Sequence, residues 1–299
     1  MRLKTYLKSS LSLLLLTSMV FLTACDEGQV RQLGGKVGAR GQDVGNAAAA
    51  VIKDLASLEQ VDYEQRLRVA ILSRPAGALQ TLPTIQRNQL DRDQMNNRIK
   101  LYKQLAKAYA ALQTLSQTAF ADQYAEAANE LNGSIQAIKQ IPHPPPGIAN
   151  LVMGLGGIAV EKKQARDIKK HSVTMARLVR AYKGLWAADR PVWDRHLQRI
   201  SEAYITNLNR IPPDRFDENQ LRQVVSLPYA KPYLVSIYKA QEAARVNTLI
   251  AETQDDLDAV DAAFAQLEKA HKELTEQEPS YTDVIASLDR IAVLLQGLT

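Results

Sequence analysis

The sequence predicts an all-α fold, namely an elongated, antiparallel helical bundle of about four long helices followed by a short C-terminal helix. The composition is rich in Ala, Leu, Gln and charged residues, and only 6% of the 299 residues are aromatic. This composition is typical of long helices. Apolar residues recur every three or four positions over long stretches, as they do on the buried face of a helix. No alternating run long enough to predict a strand occurs in the sequence.

Four apolar stripes define the long helices. The first covers Gln86–Ile141 and is predicted to lie on one long helix. The others cover Ile168–Leu185, Trp193–Ile211 and Leu257–Leu274. A helix of about 50 residues is about 75 Å long at about 1.5 Å per residue. The body is therefore predicted to be a rod.

Proline and glycine clusters mark the predicted helix ends, because a run of prolines cannot continue a helix. They lie at residues 74–83, at residues 142–147, between Pro212 and Pro232, and at Pro279. After the last break, Ser280 and Asp283 have the spacing of a capping box and predict the start of the C-terminal helix.

Two segments of opposite charge are predicted to lie on neighbouring helices. Residues 161–199 contain 11 Lys and Arg against 4 Asp and Glu, whereas residues 252–283 contain 10 acidic residues against 2 Lys. Such helices attract each other modestly, which helps to set which helices are neighbours.

The first 24 residues have the order of a secretory leader. Arg2, Lys4 and Lys8 precede an apolar core at residues 11–22. That core is too short for the ~20 apolar residues that a membrane-spanning helix needs. Removal of the three leader cations lowers the formal net charge from +5 to about +2. We therefore predict no nucleic-acid partner.

The leader ends in Leu-Thr-Ala-Cys at residues 22–25. This sequence resembles the lipobox of bacterial lipoproteins. The resemblance implies that residues 1–24 are a cleaved signal peptide, that the Cys25 thiol receives diacylglycerol, and that its new amine is acylated. Several acyl chains, palmitate among them, would anchor the protein stably, whereas one chain alone gives marginal binding.

Asp26 and Glu27 follow the predicted lipidation site. Asp directly after the lipidated Cys resembles the signal that retains enteric lipoproteins at the inner membrane. The predicted location is therefore the periplasmic face of the inner cell membrane. The outer membrane is the alternative if the host uses another sorting rule.

Small residues recur after the anchor at Gly34, Gly38, Gly41, Gly45 and Ala48. Two interpretations remain open for residues 25–45. They are a flexible tether between lipid and body, or the start of the first helix, in which the small residues form a seam for close helix contact. The bundle proper is predicted to cover residues 46–299.

Residues 148–160 form an uncharged, apolar, Gly-rich segment that is followed at once by basic residues. One interpretation is a core helix that caps one end of the bundle. The other is a membrane-contacting segment at the anchored end, to which the second helix is predicted to return. The membrane-contact candidates are Ile148, Leu151, Val152, Met153, Leu155, Ile158, Lys162, Lys163, Arg166, Lys169 and Lys170.

No motif in the sequence predicts catalysis, a cofactor or a metal. His171 and His271 lie on apolar stripes and are predicted to be core residues, as are Trp186 and Trp193. No spacing brings two His and a carboxylate together as metal ligands. Asp194, His196 and Ser201 resemble a fragment of a catalytic triad, but this spacing arises easily by chance in a helix.

These observations predict a membrane-anchored, non-enzymatic helical scaffold or adaptor that binds a protein partner in the cell envelope. One alternative is a membrane-inserting or membrane-remodelling bundle that uses residues 148–160. A second alternative is a bundle that binds a small ligand or a metal through the tyrosines Tyr102, Tyr109 and Tyr124.

Overall fold

The computed structural model describes residues 3–73, 82–118, 121–148, 164–217, 219, 221–222, 231–276 and 280–298. Within these ranges, side chains are described from residue 28 onward, except at 68–73, 82–91, 121–122 and 164–165. Every regular element in the described residues is helical. The predicted all-α class is confirmed.

Six α-helices and one 3-10 turn make up the described chain. They are α1 (Leu3–Ser73), α2 (Leu82–Gln117), α3 (Ala121–Ile138), α4 (Gln164–Arg210), the 3-10 turn Pro213–Arg215, α5 (Lys231–Thr275) and α6 (Tyr281–Leu294). With 47 residues, α4 is about 70 Å long at about 1.5 Å per residue. It continues through Pro191, so the two apolar stripes on either side of this residue lie on one helix.

The stripe predicted to form one helix over residues 86–141 lies on two helices. The first of them, α2, ends at Gln117, and α3 folds back along it, because the Gln104 side chain donates a hydrogen bond of 3.0 Å to the Ser134 carbonyl. At the break, the Thr118 hydroxyl donates to the Thr114 carbonyl at 2.7 Å. The prediction was wrong because both helices bury one apolar face, so the periodicity continues across the break.

Glycines of α1 make the contact with α2. A Cβ atom on Gly38 would lie 2.6 Å from the backbone nitrogen of Gln113, and one on Gly45 would lie 2.8 Å from that of Ala106. Neither position has room for a side chain, so only glycine allows the two backbones to approach this closely. Residues 28–45 thus lie on α1, and many of their side chains are buried.

Aromatic side chains fill the middle of the main core. Trp186 contacts Trp193 edge-to-face at a centroid distance of 4.8 Å, and Tyr102 lies edge-on to Trp186 at 5.5 Å. The Tyr182 hydroxyl donates to the Leu101 carbonyl at 2.9 Å, which satisfies this buried polar group. Both Trp residues are buried, so their predicted core position is confirmed.

Ion pairs join α4 to α5, as the opposite charges of these segments predict. Arg180 and Lys183 both pair with Glu268, and Arg190 pairs with Asp258 at 2.6 Å. Each pair contributes about 0–1 kcal/mol because it is exposed to solvent. Together they favour one register of α4 against α5.

Different interactions stabilise the starts of α6 and α5. At the start of α6, the Ser280 hydroxyl accepts a hydrogen bond from the Asp283 backbone N–H, as the capping pattern predicts. At the start of α5, Leu234 and Val235 pack with Ile211 and Phe216 in a second, smaller core. This smaller core lies at the far end of the bundle from residue 28.

Candidate functional site

The predicted lipidation and sorting residues precede the packed body closely. The side chains of Cys25, Asp26 and Glu27 lie outside the described ones, while their backbone belongs to α1. Val30 is already buried, with 1% of its surface exposed. The body therefore begins within five residues of Cys25. Among the described residues, no helix is both long and apolar enough to cross a membrane.

Arg31 fixes the point at which α1 enters the bundle. Its guanidinium donates to the carbonyls of Ser116 at 3.4 Å and Thr118 at 3.0 Å. A cation at this position also interacts favourably with the partial negative charge at the C-terminus of α2. No local pattern points to Arg31, because its partners are 85 and 87 residues away.

A shallow groove of about 480 Å³ lies beside Arg31, between α1 and α2. Its lining contains two cations, three glutamines and no carboxylate, which suits an anionic group. The lining residues are Gly28, Arg31, Gln32, Gly35, Lys36, Ala39, Gln113, Ser116 and Gln117.

Three of the predicted basic residues lie at the same end of the bundle. Arg166 is exposed, and Lys169 and Lys170 are half-buried, on the first two turns of α4. Between them, Ile168 packs against Gly34 of α1, since a Cβ on that glycine would lie 2.7 Å from the Ile168 side chain. Lys162 and Lys163 lie outside the described residues.

The apolar segment is described only at its first residue. Ile148 is buried in the main core with 2% of its surface exposed, so the prediction that it contacts the membrane is wrong. Its apolar surface is removed from water by the neighbouring helices instead. The other apolar candidates, Leu151, Val152, Met153, Leu155 and Ile158, lie outside the described residues.

The Pro-rich turn at residues 142–147 was predicted to lie near the anchored end. Instead, Arg98 donates to the His143 carbonyl at 2.7 Å and forms an ion pair with Asp189, to whose Oδ1 its Nη2 donates at 3.1 Å. Asp189 lies 25 residues beyond Gln164, about 38 Å along α4. The turn lies this far along because α3 carries the chain away from the end of the bundle around residue 28.

A cleft of about 310 Å³ opens beside this turn, lined by Arg98, Asp189, Trp193 and His196 among others. His196 and Arg199 both approach the buried carboxylate of Glu59 on α1, and the Arg199 Nη2–Glu59 Oε1 distance is 2.6 Å. Burial lowers the pKa of His196 to about 4, so its imidazole is neutral at pH 7. The cleft thus lies between α2, the Pro-rich turn and α4, and His196 connects its lining to Glu59 of α1.

No family model, curated protein or solved structure matches this chain.

The three residues that resemble a fragment of a catalytic triad, Asp194, His196 and Ser201, form hydrogen bonds or ion pairs with different partners. Asp194 accepts a hydrogen bond from Arg190 at 2.9 Å, and the Ser201 hydroxyl donates to Asn247 at 2.9 Å. His196 is engaged by Glu59 and Arg199. A serine nucleophile needs its base within hydrogen-bond distance, and Ser201 is bonded elsewhere.

The two predicted core histidines are buried, as expected. His271 bridges α2 and α4: its Nε2 lies 2.7 Å from the Tyr109 hydroxyl and its Nδ1 lies 2.6 Å from that of Ser172. His171 lies within the field of the buried Asp167, which partly offsets the lowering of its pKa by burial. Because His271 is fully enclosed and hydrogen-bonded on both nitrogens, its arrangement suits a structural role.

Proposed function

We propose that the protein is an envelope lipoprotein, acylated at Cys25, whose body is an elongated, antiparallel bundle that serves as a non-enzymatic scaffold or adaptor for a protein partner. The observation that carries the proposal is the continuity of α1. This helix runs from the predicted lipidation site into the core without an intervening loop. The same helix thereby connects the lipid anchor directly to the bundle.

The glycine contact supports a rigid connection. Gly38 and Gly45 bring the backbones of α1 and α2 together over the first part of the body. Arg31 adds hydrogen bonds to the end of α2 in the same region. A scaffold needs such a connection, because a flexible tether would not hold the rod in one orientation.

The interior also favours a partner on the surface over a ligand inside. Tyr102, Tyr109 and Tyr124, the residues of the small-ligand alternative, are each 3% exposed or less. Tyr109 uses its hydroxyl for His271, and Tyr102 packs among aromatic rings. The charged faces of α4 and α5 carry exposed side chains such as Arg177, Arg195 and Lys272, and we assign partner binding to them.

A first experiment tests the anchor. Cells that produce Cys25→Ser are labelled with a fatty-acid probe beside the wild type. We expect labelling and signal removal in the wild type only, with the variant accumulating as a precursor. Equal labelling of both proteins contradicts acylation at Cys25.

A second experiment tests the adaptor role in the native host. A photo-reactive residue replaces, one at a time, exposed residues on α4 and α5, such as Arg177, Arg195 and Lys272. A discrete protein adduct that depends on position, and disappears with Cys25→Ser, is the expected result. Absence of adducts at every position on both helices contradicts the role.

A further inference from the structure

The chain between the lipidation site and the body is too short for free movement. The buried Val30 is the fifth residue after Cys25, so five steps of the chain connect them. These steps span about 7.5 Å as a helix and at most about 18 Å when fully extended. If Cys25 is acylated, the end of the bundle around Val30 must therefore lie at the headgroups of the lipid bilayer.

That end of the bundle carries cations on two helices. We call Arg31, Lys36, Arg166, Lys169 and Lys170 the anchor-end surface. Arg31 and Lys36 line the groove between α1 and α2, and the other three residues lie on the first two turns of α4. Ile168 and Gly34 hold the two helices together at this level.

Asp26 and Glu27 of α1 lie outside the described side chains, and among the described ones at this end α1 and α4 contribute one carboxylate, that of Asp167. Asp167 is buried, with its Oδ1 3.8 Å from the Lys170 ammonium. Glu276 directly follows α5, and Asp283 lies in the first turn of α6. Anionic lipid is therefore attracted mainly to the edge formed by α1 and α4.

We propose that the bundle stands end-on upon the bilayer, with the anchor-end surface against anionic phospholipid headgroups and the start of α5 pointing away. This inference rests on the acylation of Cys25 proposed above. The 45 residues of α5 then hold its first turn about 65 Å above the headgroups. Partners would be met at that height, and the membrane would be contacted only at the anchored end.

Fluorescence transfer to acceptor lipids measures this orientation in the full-length lipidated protein. Cys25 is the sole cysteine, and its thiol is blocked by the lipid, so one introduced cysteine can be labelled specifically. Suitable exposed positions are Gln123→Cys near the anchored end, Lys100→Cys in the middle and Ser236→Cys at the far end. The purified proteins are incorporated into vesicles that contain phosphatidylglycerol.

An upright rod gives strong transfer at position 123, weaker transfer at 100 and a near-complete loss at 236. Equal transfer at all three positions means that the rod lies flat, and it overturns the inference while leaving acylation intact. Failure to join vesicles, with Cys25 itself reacting with the label, overturns both the proposed function and this inference.

Charge reversal tests the anchor-end surface separately. Lys36→Glu combined with Lys169→Glu removes its attraction to anionic lipid, so the rod should tilt and transfer from position 236 should rise. Lys53→Glu combined with Lys107→Glu reverses two exposed lysines away from this end and serves as the control. If both pairs leave the transfer profile unchanged, the anchor-end surface does not contact the headgroups.

Discussion

The hydroxyl of Tyr109 and Nε2 of His271 lie 2.7 Å apart, although 162 residues separate them in the sequence. Ser172 binds the other nitrogen of the same ring. A neutral imidazole has one donor and one acceptor nitrogen, so it satisfies both hydroxyls at once. A protonated ring would have two donors and no acceptor, and it would carry its charge without contact to water.

We therefore expect stability to depend on pH through His271. Burial lowers its pKa to about 3, from about 6.5 in the unfolded chain. Between these values the unfolded state binds a proton that the folded state does not, so the free energy of unfolding falls as pH falls from about 6.5 towards 3. Burial of His171 and His196 lowers their pKa values in the same direction.

Denaturant unfolding of the wild type and of His271→Gln at pH 7.5 and pH 4.5 checks this. At pH 7.5 the variant should lose about 1–3 kcal/mol, because the hydroxyl partners lose their hydrogen bonds. Its further loss on acidification should be smaller than that of the wild type. The matched control is His143→Asn, because His143 is exposed and has a φ of 54° that Asn tolerates. Identical pH dependence in the wild type and His271→Gln contradicts the prediction.

Arg98 should be the residue that holds the Pro-rich turn against α4. Replacement by Met keeps the apolar stem but leaves the Asp189 carboxylate and the His143 carbonyl without their donor. We expect a loss of about 1–3 kcal/mol, measured by unfolding followed through the fluorescence of Trp186 and Trp193. Arg245→Met breaks a more exposed pair with Glu242 and should cost only about 0–1 kcal/mol. Equal losses for the two variants would show that the Arg98 pair has no special role.

The two acidic residues that follow the predicted lipidation site provide a prediction about membrane sorting. If Asp26 and Glu27 retain the protein at the inner membrane, changing both to Ser should move it to outer-membrane fractions in a host with the enteric rule. Separation of the two membranes on a density gradient, followed by immunodetection, measures this. The matched control is Gln29→Ser, which changes an exposed residue three positions beyond Asp26. Wild-type protein in the outer-membrane fraction would refute the retention signal.

Local patterns in the sequence were sufficient for some elements. The apolar stripe of residues 257–274 lies on α5, and the Ser280 pattern marks the start of α6. Both features depend on residues within a few turns of one another. The ion pairs between α4 and α5 followed from a difference in charge that is large enough to be read from composition.

Contacts between residues that are far apart in the sequence determine the features that local patterns did not predict. The break after Gln117 contains neither Pro nor Gly, and the carbonyls of Ser116 and Thr118 are bonded by Arg31 of another helix. For the same reason the sequence left residues 148–160 open between core and membrane, since an apolar residue such as Ile148 gives the same pattern in either environment. The pair of Arg98 and Asp189 likewise joins residues 91 positions apart, so no local pattern predicts it.

The glycine contact between α1 and α2 gives the sharpest test of the packing. In Gly38→Ala the new methyl would lie 2.6 Å from the backbone nitrogen and 2.7 Å from Cα of Gln113, so α2 itself must move. The cost of such overpacking is about 1–3 kcal/mol, which outweighs the gain of about 1 kcal/mol that Ala brings to a helix interior. Gly184→Ala is the matched control, because this glycine lies inside α4 and its methyl would meet nothing within 4 Å. Urea unfolding should therefore show Gly38→Ala destabilised and Gly184→Ala stabilised by about 0.5–1 kcal/mol. A gain of stability in both variants would mean that α1 and α2 are not in close contact.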